Sequence, residues 1–385
     1  MLLRTTLLSL IAAAFAAPSG SSNLKPCSPH GVTFFNNKVI FTPPTNYTDP
    51  RVLYARTVEL SDGTLLATWE NYSPEPPLVY FPIYQSNDSG VSWKQISKVT
   101  DQVNSWGLRY QPDLYELPRA FGGFPAGTVL AAGNSIPTDL SLTKIDVYAS
   151  TDGGLTWKFV SSVASGGRAV PNNGETPVWE PFIMLYEDEL IVYYSDQRDP
   201  AHGQKLVHQT SRDLKTWAAP VDDVSYATYT ARPGMTTVAR LPNGKYIMTY
   251  EYGGGPGFSG YSFPVYYRIA DDPRKFNDAV GQPIQVGSLK PTSSPYVTWS
   301  SVGGKDGSII VSSGTNQQIF VNRALGDVSK WEAYNVAQPV AYTRHLRVLR
   351  NDPGALLIMG AGHLPPSTTN NVSLSVVDLK ALLKV

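Results

Sequence analysis

Cysteine is nearly absent from this chain: Cys27 is the single one among 385 residues. One thiol can neither close an internal disulfide nor build a thiolate metal cluster, so the fold must stand on packing alone. Net charge is absent too, with 31 basic and 31 acidic side chains. That balance removes the electrostatic reason to expect nucleic acid or an anionic membrane surface as partner. Beyond the N-terminus no apolar run approaches the roughly 20 residues of a membrane span. The five histidines show no HExxH spacing, and no G-x-S-x-G elbow is present. Glycines 253–257 are followed by neither Lys-Ser/Thr nor a helical pattern. Metalloprotease, serine-hydrolase and phosphate-cradle chemistry are thereby disfavoured, and no metal or cofactor is expected. Helical periodicity is scarce as well.

What is present is turn and ring. Gly (32) and Pro (31) are abundant, and Tyr (22) outnumbers Phe (13) and Trp (8) together. This composition predicts a turn-rich β protein, and its amphipathic rings suit a carbohydrate-handling surface as well as a β core. Arg4, the apolar stretch Leu7–Ala17 and the small-residue triplet Ala14-Phe15-Ala16 read as an export signal over residues 1–16. Residues 17–385 are then a secreted, soluble, monomeric domain. Asn46, Asn71, Asn87 and Asn371 head N-x-S/T sequons, as a secretory route allows.

Short apolar runs recur as strand, tight turn, strand. Arg56–Trp69 turns at Asp62-Gly63 and Val238–Tyr250 at Asn243-Gly244, with Glu187-Asp188 and Asp352-Pro353-Gly354 in the equivalent place of two further copies. A second element follows the hairpins: Ser86–Trp93 and Ser150–Trp157 both read S-x-D-x-G-x-S/T-W. Ser211–Trp217 is a worn copy without the Gly, and Asp272–Phe276 and Asp327–Trp331 are fainter. The aspartates recur at intervals of roughly 60 residues, the signature of a β-propeller. The box reads as a structural hairpin on the outer part of each blade, its Asp accepting from loop amides and its Trp buried between sheets. Six units begin near Arg51, Tyr110, Trp179, Arg232, Ser294 and Thr343. The leftover strand Gly31–Phe41 is placed to complete the last blade and close the ring.

Three glutamates interrupt aromatic or apolar stretches: Glu70 after Trp69, Glu180 between Trp179 and Pro181, and Glu251 between Tyr250 and Tyr252. Desolvation there raises a carboxyl pKa and lets it hold a proton near neutrality. Two carboxylates on one pocket are the minimum equipment for glycoside cleavage, about 5–5.5 Å apart for retention and about 6.5–9.5 Å for inversion. Arg56, Arg198, Arg232 and Arg344 sit at comparable strand edges, where they can orient carboxylates, bind sugar hydroxyls or serve only as structural ion pairs. Tyr342 can hydrogen-bond a catalytic glutamate or belong to the core. The loops near Trp106–Tyr110, Pro118–Pro125 and Gly253–Ser262 are long enough to wall off a funnel.

The boxes, the six repeats and Trp179-Glu180-Pro181 resemble the sialidase superfamily of six-bladed propellers. Val178–Phe182, the Tyr250-Glu251-Tyr252-Gly-Gly-Gly run and Ala341–Arg344 make the mature chain similar to the fungal secreted exo-α-1,5-L-arabinanases of glycoside hydrolase family 93. The resemblance implies release of arabinobiose from the non-reducing end of linear arabinan, with retention and without a metal. It points to Glu180 and Glu251 as the catalytic pair, Glu180 as nucleophile and Glu251 as acid/base, with the reverse assignment open. Glu70 is assigned to sugar binding, and Trp69, Trp179, Tyr250 and Tyr252 are candidates to stack on arabinofuranose or to belong to the core. A sialidase using Tyr342 with Arg56, Arg232 and Arg344, and a non-catalytic carbohydrate-binding propeller, are the two rival readings.

Overall fold

Strand-sized apolar runs separated by Gly-, Asn- and Asp-bearing turns give six antiparallel sheets of four strands each in the computed structural model, which describes residues 31–385. The export signal, Cys27 and His30 lie outside the described residues. Blade one runs outward through Val52–Glu59, Leu65–Asn71, Phe81–Ser86 and Lys94–Val99. Blades two to five begin with the innermost strands Leu108–Glu116, Val178–Tyr186, Arg232–Arg240 and Tyr296–Ser300, each touching the innermost strands of its neighbours around the ring. Blade six holds His345–Leu349, Asp352–Gly360 and Val372–Asp378, and its outer strand is Phe35–Phe41 from the opposite end of the chain. Phe35 pairs with Val376 and Phe41 with Val372, so the ring is closed by hydrogen bonds between its two ends, as the leftover strand predicts. A short helix, Leu379–Leu383, follows, capped by Asp378.

The core lies in the gaps between blades. Trp69, Leu357, Met359 and Leu374 fill the gap between blades one and six, and Leu130, Val147, Ile183 and Val192 that between two and three. The boxes join the third and fourth strands and pack on the preceding blade. In blade two, Asp152 accepts from the backbone and hydroxyl of Thr156 (2.9 and 2.6 Å), while Trp157 donates to Gly154 O and to Ser97 of blade one. Gly154 has φ +89°, and a Cβ there would stand 2.9 Å from Leu66 Cδ1. The worn box keeps the same backbone with Leu214 at φ 62° in place of the glycine.

Short hairpins and boxes occupy one face of the ring and long loops the other. Two expectations change accordingly. The turn of blade six falls at Arg350-Asn351, and Asp352–Gly354 enters the next strand through a bulge, because Leu349 pairs with Asp352 and Val348 with Leu356. Residues 118–125 connect the two inner strands of blade two on the hairpin face, where Gly122 packs on Leu214 of the neighbouring box, so they wall no cavity. Among the sequons, Asn71 is buried within a strand, whereas Asn46 and Asn87 are exposed. No described helix is long and apolar enough to cross a membrane.

Candidate active site

On the long-loop face, the entry of five innermost strands carries a non-glycine residue in left-handed backbone conformation: Tyr54 (56°), Gln111 (58°), Glu180 (60°), Met235 (58°) and Ser294 (37°). Pairing registers shift at the first four, which marks each as a bulge that redirects its side chain. Such a conformation costs about 1–2 kcal/mol. Each bulge amide offsets that cost by donating to the blade before it. Tyr54 N–H reaches Tyr342 O (3.3 Å), Gln111 N–H reaches Glu70 Oε1 (2.9 Å) and Glu180 N–H reaches Gln111 Oε1 (3.0 Å). Met235 N–H reaches Glu180 Oε2 (2.6 Å) and Ser294 N–H reaches Glu251 Oε2 (2.7 Å). The three glutamates singled out in the sequence are thus each held by a backbone amide of the next blade.

They share one cavity of about 500 Å³, lined also by Tyr72, Tyr110, Gln111, Trp179, Gln204, Arg232, Phe263, Tyr342, Leu364 and Pro365. Gly234 lies between the two principal carboxylates. A Cβ there would stand 3.5 Å from Glu180 Oε2 and 3.6 Å from Glu251 Oε1. Those oxygens are therefore no more than about 7 Å apart, the scale on which paired glycosidase carboxylates work. Glu180 is buried, and Oε2 accepts from Ser195 Oγ (2.6 Å) as well as from Met235 N–H. Burial pushes its pKa up, against those two donors and the fields of Arg232 and Arg56. Glu251 is pushed up to about 8 by burial and by the charge of Glu180, against one backbone donor and Arg232. Glu70 is raised by burial to about 7, opposed by donation from Tyr72 OH (2.6 Å) and Gln111 N–H. The pair is thus asymmetric: Glu180 has more donors for an ionised carboxylate, and Glu251 holds its proton through neutrality.

Arg232 donates to three amide oxygens, Asn173 Oδ1 (3.0 Å), Gln197 Oε1 (3.0 Å) and Gln204 Oε1 (2.9 Å), which aim its charge into the cavity without an ion pair. Trp179 lines the wall with its Nε1–H on Gln197 Oε1 (2.8 Å). Tyr342 also lines it, but its hydroxyl lies 3.3 Å from Met235 Sδ and meets no glutamate. Among the described residues no group of three His, Cys, Asp or Glu could hold a metal ion.

Six other candidates lie outside the cavity, the three aromatic ones for reasons of strand geometry. Neighbours along a strand point to opposite faces, so a cavity-facing Glu70 sends Trp69 into the blade gap, fully buried between Phe41 and Tyr84. Likewise Tyr250 is fully buried with its hydroxyl on Tyr226 OH, and Tyr252 stacks on the Tyr226 ring at 3.9 Å. Trp179 escapes this rule because Glu180 is a bulge residue. Arg198 is spent on Asp196 (2.6 Å) and Tyr194 OH (2.7 Å). Arg344 is fully buried and donates to the carbonyls of Asn316, Gln317, Gln318 and Gln338, a clamp between blades five and six. Arg56 does not line the cavity either. It lies buried, with its guanidinium 4.0 Å from the Tyr54 ring and 5.0 Å from that of Tyr296, and acts on Glu70 and Glu180 only through space. Of the expected wall loops, Tyr110 reaches the cavity, whereas Trp106 sits under Lys144.

Gln111, Ser195, Gln204, Gly234 and Tyr72 were not anticipated. Tyr72 was within reach of the alternation rule, two residues from Glu70. The others have no local signature, since they matter only through bulges and loops that bring separate blades together.

The ring itself is that of the sialidases: NanB sialidase of Streptococcus pneumoniae superposes with a TM-score of 0.58 over 90% of this chain and 71% of that one, at 10% identity, a likeness of fold alone. A propeller with buried carboxylates facing one cavity has the equipment that glycoside hydrolases use. No family model and no curated protein matches the chain, but solved structures do. It is 61% identical to the GH93 α-L-arabinofuranosidase of Fusarium graminearum, solved with arabinobiose, over 91% of this chain and 99% of that one, with a TM-score of 0.90. It is 54% identical to an α-L-arabinanase of Penicillium chrysogenum, also complexed with arabinobiose, over 91% and 100% of the chains, with a TM-score of 0.89. The chain belongs to glycoside hydrolase family 93.

Proposed function

We propose that the protein is an exported exo-α-1,5-L-arabinanase that releases arabinobiose from the non-reducing end of linear arabinan with retention of configuration. The observation that carries this reading is the common point above Gly234 that both Glu180 and Glu251 approach, combined with their unequal hold on a proton. Glu251, protonated up to about pH 8, gives its proton to the O5 leaving oxygen. Glu180 attacks the anomeric carbon from the opposite side and forms an ester, using Oε1, which has no donor among the described residues. The ionised Glu251 then takes a proton from water, which opens the ester and returns α-arabinobiose and free Glu180. Arabinobiose as product is supported by its presence in both relatives. Exo action is supported by the contiguous aromatic lining that Tyr72, Tyr110 and Trp179 give the cavity.

The sialidase reading loses support on geometry. It asks for three arginines around a substrate carboxylate, and of Arg56, Arg232 and Arg344 only Arg232 lines the cavity. The tyrosine it needs as nucleophile, Tyr342, has its pKa driven well above the usual range by burial and by Glu180 and Glu251. The lectin reading leaves the raised pKa of Glu251 without a use. Incubation with debranched linear arabinan and with a sialoside decides among them. Arabinobiose as sole early product, with the α anomer first in the NMR spectrum, is expected; free sialic acid, or neither product, would overturn the proposal.

A further inference from the structure

Beside the cavity, on the Glu251 side, the loop 254–264 of blade four carries a large side chain that no packing requirement explains. Tyr261 is 55% exposed, yet it is fixed at several points. Its hydroxyl donates to Thr230 O (2.9 Å), and its ring lies against Gly254, where a Cβ would come within 3.0 Å of a ring carbon. Edge-on contact with Phe263 (5.4 Å between centroids, 80° between planes) joins it to a ring that lines the cavity. The loop continues the hairpin below it, through Tyr252 N–H to Pro264 O and Gly254 N–H to Ser262 O (both 2.8 Å). The charges of Arg232 and Glu251 both act on the hydroxyl of Tyr261. An aromatic face held still costs little further entropy when a ligand covers it, and tyrosine offers an apolar face with a polar tip.

We propose that Tyr261 is the platform on which the leaving arabinan chain stacks, an aglycone subsite for the pentofuranose units just beyond the scissile bond. The inference rests on the arabinanase reading and extends it. The acid that protonates the leaving oxygen must stand beside it, so the departing chain runs past Glu251. Phe263, which lines the cavity, and then Tyr261 are the next apolar surfaces on that path, while Tyr72, Tyr110 and Trp179 line the cavity itself. A pentofuranose has an apolar face formed by its ring hydrogens, and the exposed side of Tyr261 offers it an aromatic ring. The polymer would thereby gain affinity beside the cavity, without any change in the bond that is cut.

The test compares Tyr261→Ala with the wild-type enzyme on two substrates. Long linear arabinan occupies the subsite; arabinobiosyl fluoride, whose leaving group is a single atom, leaves it empty. Loss of one aromatic stacking face corresponds to roughly a three- to tenfold fall in kcat/KM on the polymer, carried by KM. Turnover of the fluoride is expected to stay within about twofold of wild type. Tyr261→Phe, which keeps the ring, is expected to retain polymer activity. Equal losses on both substrates, no loss on either, or a phenylalanine variant as impaired as the alanine one would each overturn the proposal. A wild-type enzyme that turned over neither substrate would instead overturn the arabinanase reading.

Discussion

Replacing Glu251 by glutamine exchanges catalysis for stability, and the exchange depends on pH. The ordinary glutamate pKa is 4.5, and in the folded protein Glu251 is held at about 8. Between those values the native state keeps a proton that the unfolded chain has lost, so raising the pH draws the equilibrium toward unfolding. The cost grows by about 1.4 kcal/mol per pH unit. It is absent below the unfolded pKa, reaches about 3 kcal/mol at pH 7 and levels off above pH 8. Glutamine escapes it, because it never ionises and its amide oxygen still accepts from Ser294 N–H. Urea unfolding of Glu251→Gln and wild type across pH 4.5–8 is expected to give equal stability at the acid end. By pH 7 the glutamine variant should be ahead by about 3 kcal/mol. Arabinan turnover by the same variant falls roughly 10²–10⁴-fold, the scale of a lost general acid. A stability difference that stays flat with pH would show that the carboxyl titrates in the fold as it does in water, and the assignment of Glu251 as the acid would lose its basis.

Three further outcomes follow from the same geometry. The pH profile of kcat/KM on arabinan should rise as Glu180 loses its proton, at a pH above the ordinary glutamate range, and fall near pH 8 as Glu251 loses its own; a plateau extending past pH 9 would contradict this. Gly234→Ala puts a methyl group 2.7 Å from Gln204 Nε2 and between the two carboxylates, so kcat/KM should drop roughly 10²-fold while circular dichroism stays native. Arg344→Met leaves the carbonyls of Asn316, Gln317, Gln318 and Gln338 without their buried donor; unfolding free energy should fall by at least about 3 kcal/mol while KM of the folded enzyme is unchanged.

The architecture was legible because it is repetitive. A box of fixed spacing and a strand–turn–strand pattern recur in nearly every blade, and the unpaired strand ahead of blade one has a single place to go in a closed ring. The three glutamates were legible because a carboxylate inside an apolar run needs a reason. Their aromatic neighbours misled, since adjacency in sequence is separation across a sheet: Trp69, Tyr250 and Tyr252 all face away from the glutamates beside them. Desolvation of Glu70 and Glu251 arises from their burial in the cavity wall, not from Trp69, Tyr250 or Tyr252. The arginines misled for another reason. At the edge of a strand nothing local distinguishes Arg232, which lines the site, from Arg344, which ties carbonyls together. The bulges that aim Gln111, Glu180 and Met235 inward depend on acceptors supplied by the preceding blade, so no window of sequence contains the information that sets them.

That Glu180 attacks while Glu251 serves the proton is tested most directly by trapping the ester between sugar and enzyme. In Glu251→Ala an aryl α-arabinobioside still loses its phenolate without acid assistance, but water lacks the base that would open the intermediate. Mass spectrometry of the quenched variant should find the protein heavier by one arabinobiosyl unit, and peptide mapping should place that unit on Glu180. An unmodified protein after aryl release, or a sugar attached at any other residue, would contradict it.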